Sequence, residues 1–353
     1  MEFYAELAIE LLKALIPIRA YSFEEKARAD FLMDWLAGEG VEAFRIGNNI
    51  WAKATFSKEA PTLMLCAHID TVQAAESYTF DALNPSEAED RILGLGSNDD
   101  GGSVVSMIAT FLYFKEMGSC PVNLLLLLSC EEERSGEGGT RSLGKFIKEN
   151  ADFAIVGEPT RMRATIAESG LLVIDGCATG RSAHAARAAE GENALYKAIQ
   201  DIEIIRSQKF DRISPALGEV KLSVTQINAG TAHNVIPDSC TFVVDIRPNE
   251  CYTNKEILDM LQAKVGSRLS ARNLANRSSA TPQDSPLYRT AAKLAMEMTT
   301  SPTSSDWMRL PIDAIKIGPG DSNRSHKADE YILKSEIREG VEKYITFIEN
   351  LQF

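Results

Sequence analysis

Hydrophobic positions along the chain change rhythm about halfway through its 353 residues. In the first half, short unbroken apolar runs alternate with stretches of helical spacing. Phe3, Leu7, Leu11, Leu12 and Leu15 fall on one helical face over residues 3–16, and Pro17 ends it. Ser22 and Glu25 form a capping-box pattern that opens a second helix running to about Gly38. Residues 48–54, 62–68 and 153–156 read as strands, and residues 93–102 as a glycine-punctuated loop. Residues 103–117 read as a helix with Val104, Ile108, Phe111 and Leu112 on one face and Gly118 as its stop, and residues 141–149 as another. Leu124 to Leu128 are five leucines in a row, which suits a strand buried on both faces, although periodicity alone leaves a buried helix open. Strands alternating with helices predict an α/β fold, a mostly parallel sheet flanked by helices.

From about Gly170 the order becomes β-α-β-β-α-β. Strands are expected at 171–179, 220–227 and 240–246, with a weaker one at 269–274, and helices at 192–206 and 254–265. That order predicts a separate ferredoxin-like α+β domain, a helix pair on a four-stranded antiparallel sheet. The polar segment 273–285 reads as a return linker. A helix at 287–298, a strand at 314–317 and a closing helix at 335–351 follow. The expected organisation is a discontinuous domain, residues 1–167 and 277–353, interrupted by an inserted domain, residues 168–276.

Charge then narrows the partners. A formal net charge of −13 and a pI of about 5 argue against nucleic acid or an anionic membrane, which both need a basic surface. The six scattered cysteines form no CxxC pair and read as free thiols of a reducing compartment. The first residues carry Glu2, Glu6 and Glu10 where a secretion signal would be basic, and no apolar run reaches membrane-spanning length. A cytoplasmic location is expected.

Candidate chemistry collects in five clusters. His68 closes one strand, and Asp70 lies two residues on, facing the same way on an extended chain, where it can accept the second ring N–H of a metal-bound imidazole. Asp99 and Asp100 open a helix, where acids also serve as caps. Glu131, Glu132 and Glu133 follow the leucine run, Glu158 follows residues 153–156, and His326 follows residues 314–317. Each cluster is expected at the C-terminal end of a sheet strand, where open α/β sheets place their sites. Three adjacent glutamates repel one another unless a cation balances them. Imidazoles and carboxylates without thiolate suit zinc, with cobalt or manganese as substitutes, and there are enough ligands for two ions about 3.5–4 Å apart if one carboxylate bridges.

The segments AHIDTV, GLGSNDDGG, LLSCEEERSG, VGEPT, GRSAHAA, HNVIPD, DIRP and GPGDSNRSHKADEY occur in this order from residue 67 to residue 331. In them the chain resembles the M20 family of metallopeptidases and deacylases, which includes acetylornithine deacetylase, succinyl-diaminopimelate desuccinylase, aminoacylases and carboxypeptidases. The resemblance implies a zinc-peptidase-like catalytic domain with an inserted lid and dimerisation domain, and a homodimer formed through that insertion. It implies that His68 and Glu158 hold one zinc and Glu133 and His326 the other, with Asp99 bridging and Asp70 orienting His68. Glu132 would be the general base that passes a proton from water to the leaving amine. Aligning the strand and the following GGT gives that register, with Glu131 a flanking acid. A shift by one residue would make Glu131 the base and Glu132 the ligand. Asp100 and Gly101 stand where many relatives have an apolar residue and lysine. His184 in GRSAHAA would reach a neighbouring active site and stabilise the oxyanion. Alternatively it is a surface histidine in an Ala-rich loop. Asn234 and Arg247 are candidates for clamping a substrate carboxylate. Their plain alternatives are a turn residue and a strand-end ion pair with Asp245. His233 has no assigned role. The implied substrate is a small N-acyl amino acid, first N-acetylornithine in arginine biosynthesis, then an N-succinyl amino acid, then a dipeptide. The contrasting expectation is a metal-free binding module of the same fold.

Overall fold

The leucine run is a strand at the heart of a sheet. The computed structural model describes residues 1–353. In chain order its helices are α1 (Glu2–Leu15), α2 (Lys26–Gly38), α3 (Gly102–Met117), α4 (Gly144–Asn150), α5 (Ala194–Ser207), α6 (Asn254–Gln262), α7 (Pro286–Lys293) and α8 (Lys334–Glu349). Its strands are β1 (Ala43–Ile46), β2 (Asn49–Ala54), β3 (Thr62–His68), β4 (Ser86–Ala88), β5 (Arg91–Leu93), β6 (Asn123–Ser129), β7 (Phe153–Val156), β8 (Ala164–Glu168), β9 (Leu172–Thr179), β10 (Ala183–His184), β11 (Lys221–Ala229), β12 (Val235–Ile236), β13 (Ser239–Arg247), β14 (Arg268–Ala271), β15 (Ser279–Ala280), β16 (Met298–Ser301), β17 (Asp313–Lys316) and β18 (Tyr331–Leu333). Contacts divide the chain into a unit of Met1–Ile166, Thr281–Thr299 and Ser305–Phe353 and a unit of Ala167–Ala280 and Thr300–Ser304.

In the first unit the strands run in the order β1-β2-β6-β3-β7-β17-β8. The pairs β6–β3, β3–β7 and β7–β17 are parallel. The outer pairs β1–β2, β2–β6 and β17–β8 are antiparallel. The sheet is therefore mixed, and parallel only at its centre. There every residue of β3, β6 and β7 is buried, as a strand covered on both faces requires. Side chains alternate across the sheet. Leu124, Leu126 and Leu128 join the core built with α1, α3 and α8, while Leu125 and Leu127 pack with Ile147 of α4 and Trp307. Each buried leucine contributes roughly 1.5–3 kcal/mol. Helix α3 is buried well beyond one face, from Gly102 to Phe114 except at Tyr113, because α1 and α8 cover the side turned away from the sheet.

Four expectations change. No capping box opens α2: Ser22 gives its hydroxyl to Asp70 instead, and the buried Glu25 accepts backbone N–H groups. Asp99 does not follow a strand of the main sheet. It follows β5, which pairs with β4 and β18 in a small separate sheet, so the shared strand-end position holds for four clusters of five. The segment read as a linker contains β15, and the expected helix 287–298 stops at Lys293.

The second unit has the antiparallel sheet β11-β13-β9-β14. Helices α5 and α6 supply Ala194, Ala198, Ile205, Ile257 and Leu261 to its core. A two-stranded ribbon, β10–β12, pairs His184 with Val235. No helix of the chain is long and apolar enough to cross a membrane.

Candidate metal centre

The parallel strands β3, β6 and β7 end side by side, and their following residues converge. His68, the last residue of β3, is buried. Its Nδ1 lies 3.0 Å from the Asp70 backbone oxygen and 3.4 Å from Asp70 Oδ1, and its Nε2 lies 3.2 Å from Asp99 Oδ1. The other Asp99 oxygen is 3.6 Å from His326 Nε2, which lies 2.8 Å from Glu133 Oε2. The Asp99 carboxylate thus offers one oxygen to each imidazole. Donor atoms of His68, Asp99 and Glu133 lie within 4.8 Å of one another, and so do those of His68, Glu132 and Glu158. Six of the expected residues are brought together.

Asp70 lies against His68 as expected, and its carboxylate has further partners. The nearest partner of His68 Nδ1 is the Asp70 carbonyl, while the buried carboxylate accepts the N–H of Glu132 at 3.0 Å, the N–H of Glu133 at 3.1 Å and the Ser22 hydroxyl at 2.7 Å. It ties the end of β6 to the end of β3. Glu131 turns elsewhere. Its backbone is left-handed, φ 60°, and its carboxylate accepts the Gly138 N–H at 2.8 Å. A Cβ on Gly136 would stand 2.0 Å from that carboxylate, so only glycine admits it. His326 is also left-handed, φ 60°. Such backbone costs on the order of 1 kcal/mol or more, and it gathers at functional sites.

Supporting residues that sequence reading missed lie behind these. Glu330 is buried and accepts N–H groups from Gly96, Asn98 and Asp99, each at 2.9 Å, which fixes the loop carrying Asp99. Buried Asp306 accepts the hydroxyls of Ser129 and Thr140 at 2.6 and 2.5 Å, below the end of β6. Glu330 stands inside a quoted motif that marks no role for it. Asp306 had no signal.

Electrostatics decide what the cluster can hold. Burial pushes Glu132 and Glu158 well above the usual carboxylate range, and neighbouring acids add to the shift. Burial moves Asp100 up to about 7 and, helped by Asp99, Glu330 up to about 8. Burial pulls His68 down, but Asp70 and Asp99 outweigh it and raise it well above its ordinary value. The hydrogen bond to Glu133 raises His326 to about 8. For Asp99 burial works upward, and His68 brings the net below the usual value. So many inward acids hold protons or need cations. Two overlapping groups of oxygen and nitrogen donors, with no thiolate in either, fit divalent metal ions of the zinc type.

The remaining candidates belong to the second unit and are satisfied locally. His184 is exposed, and its Nδ1 accepts the Ala186 N–H at 3.1 Å. The Asn234 carbonyl accepts the Ala185 N–H at 2.9 Å. Arg247 forms a two-point pair with Asp245, at 2.9 and 3.2 Å. Arg247 ends β13, whereas Asn234 precedes its start. His233 is exposed.

Comparison with known proteins follows the same lines. The model of peptidase family M20/M25/M40 matches residues 64–350. A Mycobacterium tuberculosis protein provisionally named succinyl-diaminopimelate desuccinylase is 29% identical, over 95% of this chain and 96% of its own. The acetylornithine deacetylase of Proteus mirabilis is 26% identical, over 79% of this chain and 76% of its own. The crystal structure of aminopeptidase PepT from Bacillus cereus superposes with a TM-score of 0.78 at 18% identity, covering 98% of both chains.

Proposed function

The chain belongs to peptidase family M20/M25/M40, and from that premise we propose that it is a two-metal deacylase of small N-acyl amino acids. Membership makes it a metal-dependent hydrolase of a family acting on small acylated amino acids or peptides. The observation that carries the finer reading is the pair of donor groups joined at His68, with Asp99 between the two imidazoles. In this reading His68 and Glu158 hold one ion, Glu133 and His326 the other, and Asp99 bridges. Zinc is the proposed metal, with cobalt or manganese as substitutes. Metal ions held by these residues would supply Lewis acidity toward the amide carbonyl and the attacking water.

The chain's own groups do the rest. Glu132 takes the proton of the attacking water and delivers it to the leaving amine. Three features support this register over a one-residue shift: the Glu131 carboxylate faces Gly138, Glu132 shares a donor group with His68 and Glu158, and Glu133 contacts His326. Asp70 fixes the backbone of both working glutamates. His184 is assigned to the oxyanion of a neighbouring active site, across a homodimer formed by the second unit. Exposed Tyr196 and Ile199 on α5, and the exposed edge strand β11 with Ile227, support such an interface. Asn234 and Arg247 are assigned to substrate carboxylates.

N-acetylornithine is the proposed substrate, and an N-succinyl amino acid the rival, since both activities are named among the relatives. The test is metal analysis of folded protein together with a panel of N-acetylornithine, N-succinylornithine, succinyl-diaminopimelate and dipeptides. Two equivalents of divalent metal and turnover of an N-acyl amino acid are expected. Folded protein that takes up no metal and cleaves none of the panel refutes the reading.

A further inference from the structure

Arg28 has 5% of its surface exposed, and Glu25, one helical turn earlier, has none. Residues three apart share a helix face, so the first turn of α2 carries a buried cation and a buried anion side by side. Neither is paired with a side-chain ion of opposite sign among the salt bridges or side-chain hydrogen bonds they make. Both are spent on backbone and amide groups.

The Arg28 fork reaches three carbonyls. Nη1 donates to Ile69 O at 2.9 Å, Nε and Nη2 to Ile18 O at 3.2 and 2.8 Å, and Nη2 to Leu15 O at 3.3 Å. Leu15 and Ile18 lie at and just past the end of α1, where carbonyls carry partial negative charge, and Leu15 O also accepts the Ile18 N–H at 3.0 Å. Ile69 stands between His68 and Asp70. Burial pulls the guanidinium down only to about 10, so it is charged at neutral pH. An apolar side chain of similar size would fill this space at less desolvation cost. What it would lack is the rigid array of donors. Segment 18–22 is laid against the same loop: Thr71 N donates to Ala20 O at 2.8 Å, Ser22 N to Thr71 O at 3.2 Å, and Ser22 Oγ to Asp70.

Glu25 holds the other loop. Its Oε1 accepts the N–H of Phe23 at 2.7 Å and of Glu131 at 3.2 Å, and its Oε2 accepts Asn48 Nδ2 at 3.1 Å. Asn49, next in sequence, accepts the Cys130 N–H at 3.1 Å. The two loops are then joined to each other by the Asp70 carboxylate.

We propose that the first turn of α2 is the positioning element of the metal centre: Arg28 sets the loop of residues 68–70, Glu25 sets the loop of residues 131–133, and together they hold the two at binding distance. This rests on the metal-centre reading above. Neither residue touches a reacting atom, so both are positioning residues.

The test measures zinc affinity by competition with a chelator, beside circular dichroism and thermal unfolding of the metal-free protein. Arg28→Met and Glu25→Ala are expected to weaken zinc binding by roughly 10–100-fold, the usual scale for residues that orient ligands. Glu25→Gln keeps an oxygen for the Glu131 N–H and is expected to recover most of that loss. Leu36→Ala, a core change on the same helix, is expected to lower the melting temperature and leave zinc affinity unchanged. If Arg28→Met does not fold, Arg28→Lys, which keeps one reach of the fork, is expected to fold and bind zinc more weakly. Folded Arg28→Lys and Glu25→Ala proteins with wild-type affinity overturn the proposal, and so does equal weakening by Leu36→Ala. Wild-type protein that binds no metal instead removes the metal-centre reading itself.

Discussion

Apart from exposed His326, the two units carry their candidate residues in opposite states. In the first, His68, Asp70 and Asp99 are buried, and the surrounding loops are fixed through backbone N–H groups given to Asp70, Glu330 and Glu25. In the second, His184 is exposed on the two-stranded ribbon, Asn234 is exposed just before it, and Arg247 pairs with its strand neighbour. A cluster of like charges must be held in place before its ligand arrives, or it relaxes into solvent. A group that meets a substrate or a second subunit must stay accessible until then. Under the proposed function, the difference separates preorganised ligands from groups whose task would be completed by something outside the chain.

Variants test that separation, the largest effect first. Glu132→Gln is expected to cut kcat by roughly 10²–10⁴-fold while metal content stays at the wild-type level, the scale for a lost general base. If Glu131→Gln has that effect and Glu132→Gln does not, the glutamates are shifted by one residue. His184→Ala is expected to lower kcat by about 10²–10³-fold, the scale for a lost oxyanion donor, with metal affinity unchanged. Unchanged turnover would remove His184 from the reaction and leave the second unit without a chemical role. Glu330→Gln is expected to weaken metal binding by roughly 10–100-fold, read by chelator competition, and wild-type affinity would show that the Asp99 loop holds itself.

The pH response is smaller and has a definite sign. The fold raises His326 to about 8, through Glu133 first, against roughly 6.5 when unfolded. In metal-free protein this stabilisation is complete below about pH 6.5 and disappears as pH rises through about 8. Glu330, pushed up to about 8 by burial, acts in the same direction, because its ionisation disfavours the fold. The melting temperature of chelator-treated protein is therefore expected to fall between pH 6.5 and 8.5. Metal needs the unprotonated imidazole, so affinity is expected to rise over the same interval. A metal-free melting temperature that climbs there contradicts the assignment. Least affected is Glu131→Gln, which keeps an oxygen for the Gly138 N–H and is expected to change stability by about 1 kcal/mol or less.

What the sequence made legible follows from range. Strands β3 and β7 were readable to the residue, and β6 nearly so, because a strand buried on both faces leaves an unbroken apolar run. The convergence of His68, Glu132, Glu133, Glu158 and His326 was readable because each ends or follows a strand of the main sheet, where inward acids and histidines are costly unless used. Strands β4, β5 and β18 have three residues each, too few to show a period. Ser22 and Glu25 satisfied a local pattern that the tertiary structure overrode. Asp306 and Glu330 act on partners 166–177 and 231–234 residues away, respectively, and no local pattern records such a contact.

The bond between Glu330 and the Asp99 loop also sets an order of events in synthesis. A ribosome makes His68, Asp99, Glu133 and Glu158 long before it reaches His326 and Glu330. Until then the N–H groups of Gly96, Asn98 and Asp99 have no carboxylate to receive them, and Glu133 has no imidazole beside it. The leucine-centred sheet can collapse around β3, β6 and β7 as they emerge, but a complete pocket exists only once the last tenth of the chain has been translated. Completion of the pocket around His326 is thus a late step of folding, although the donor groups of His68, Asp99, Glu132, Glu133 and Glu158 are all made earlier.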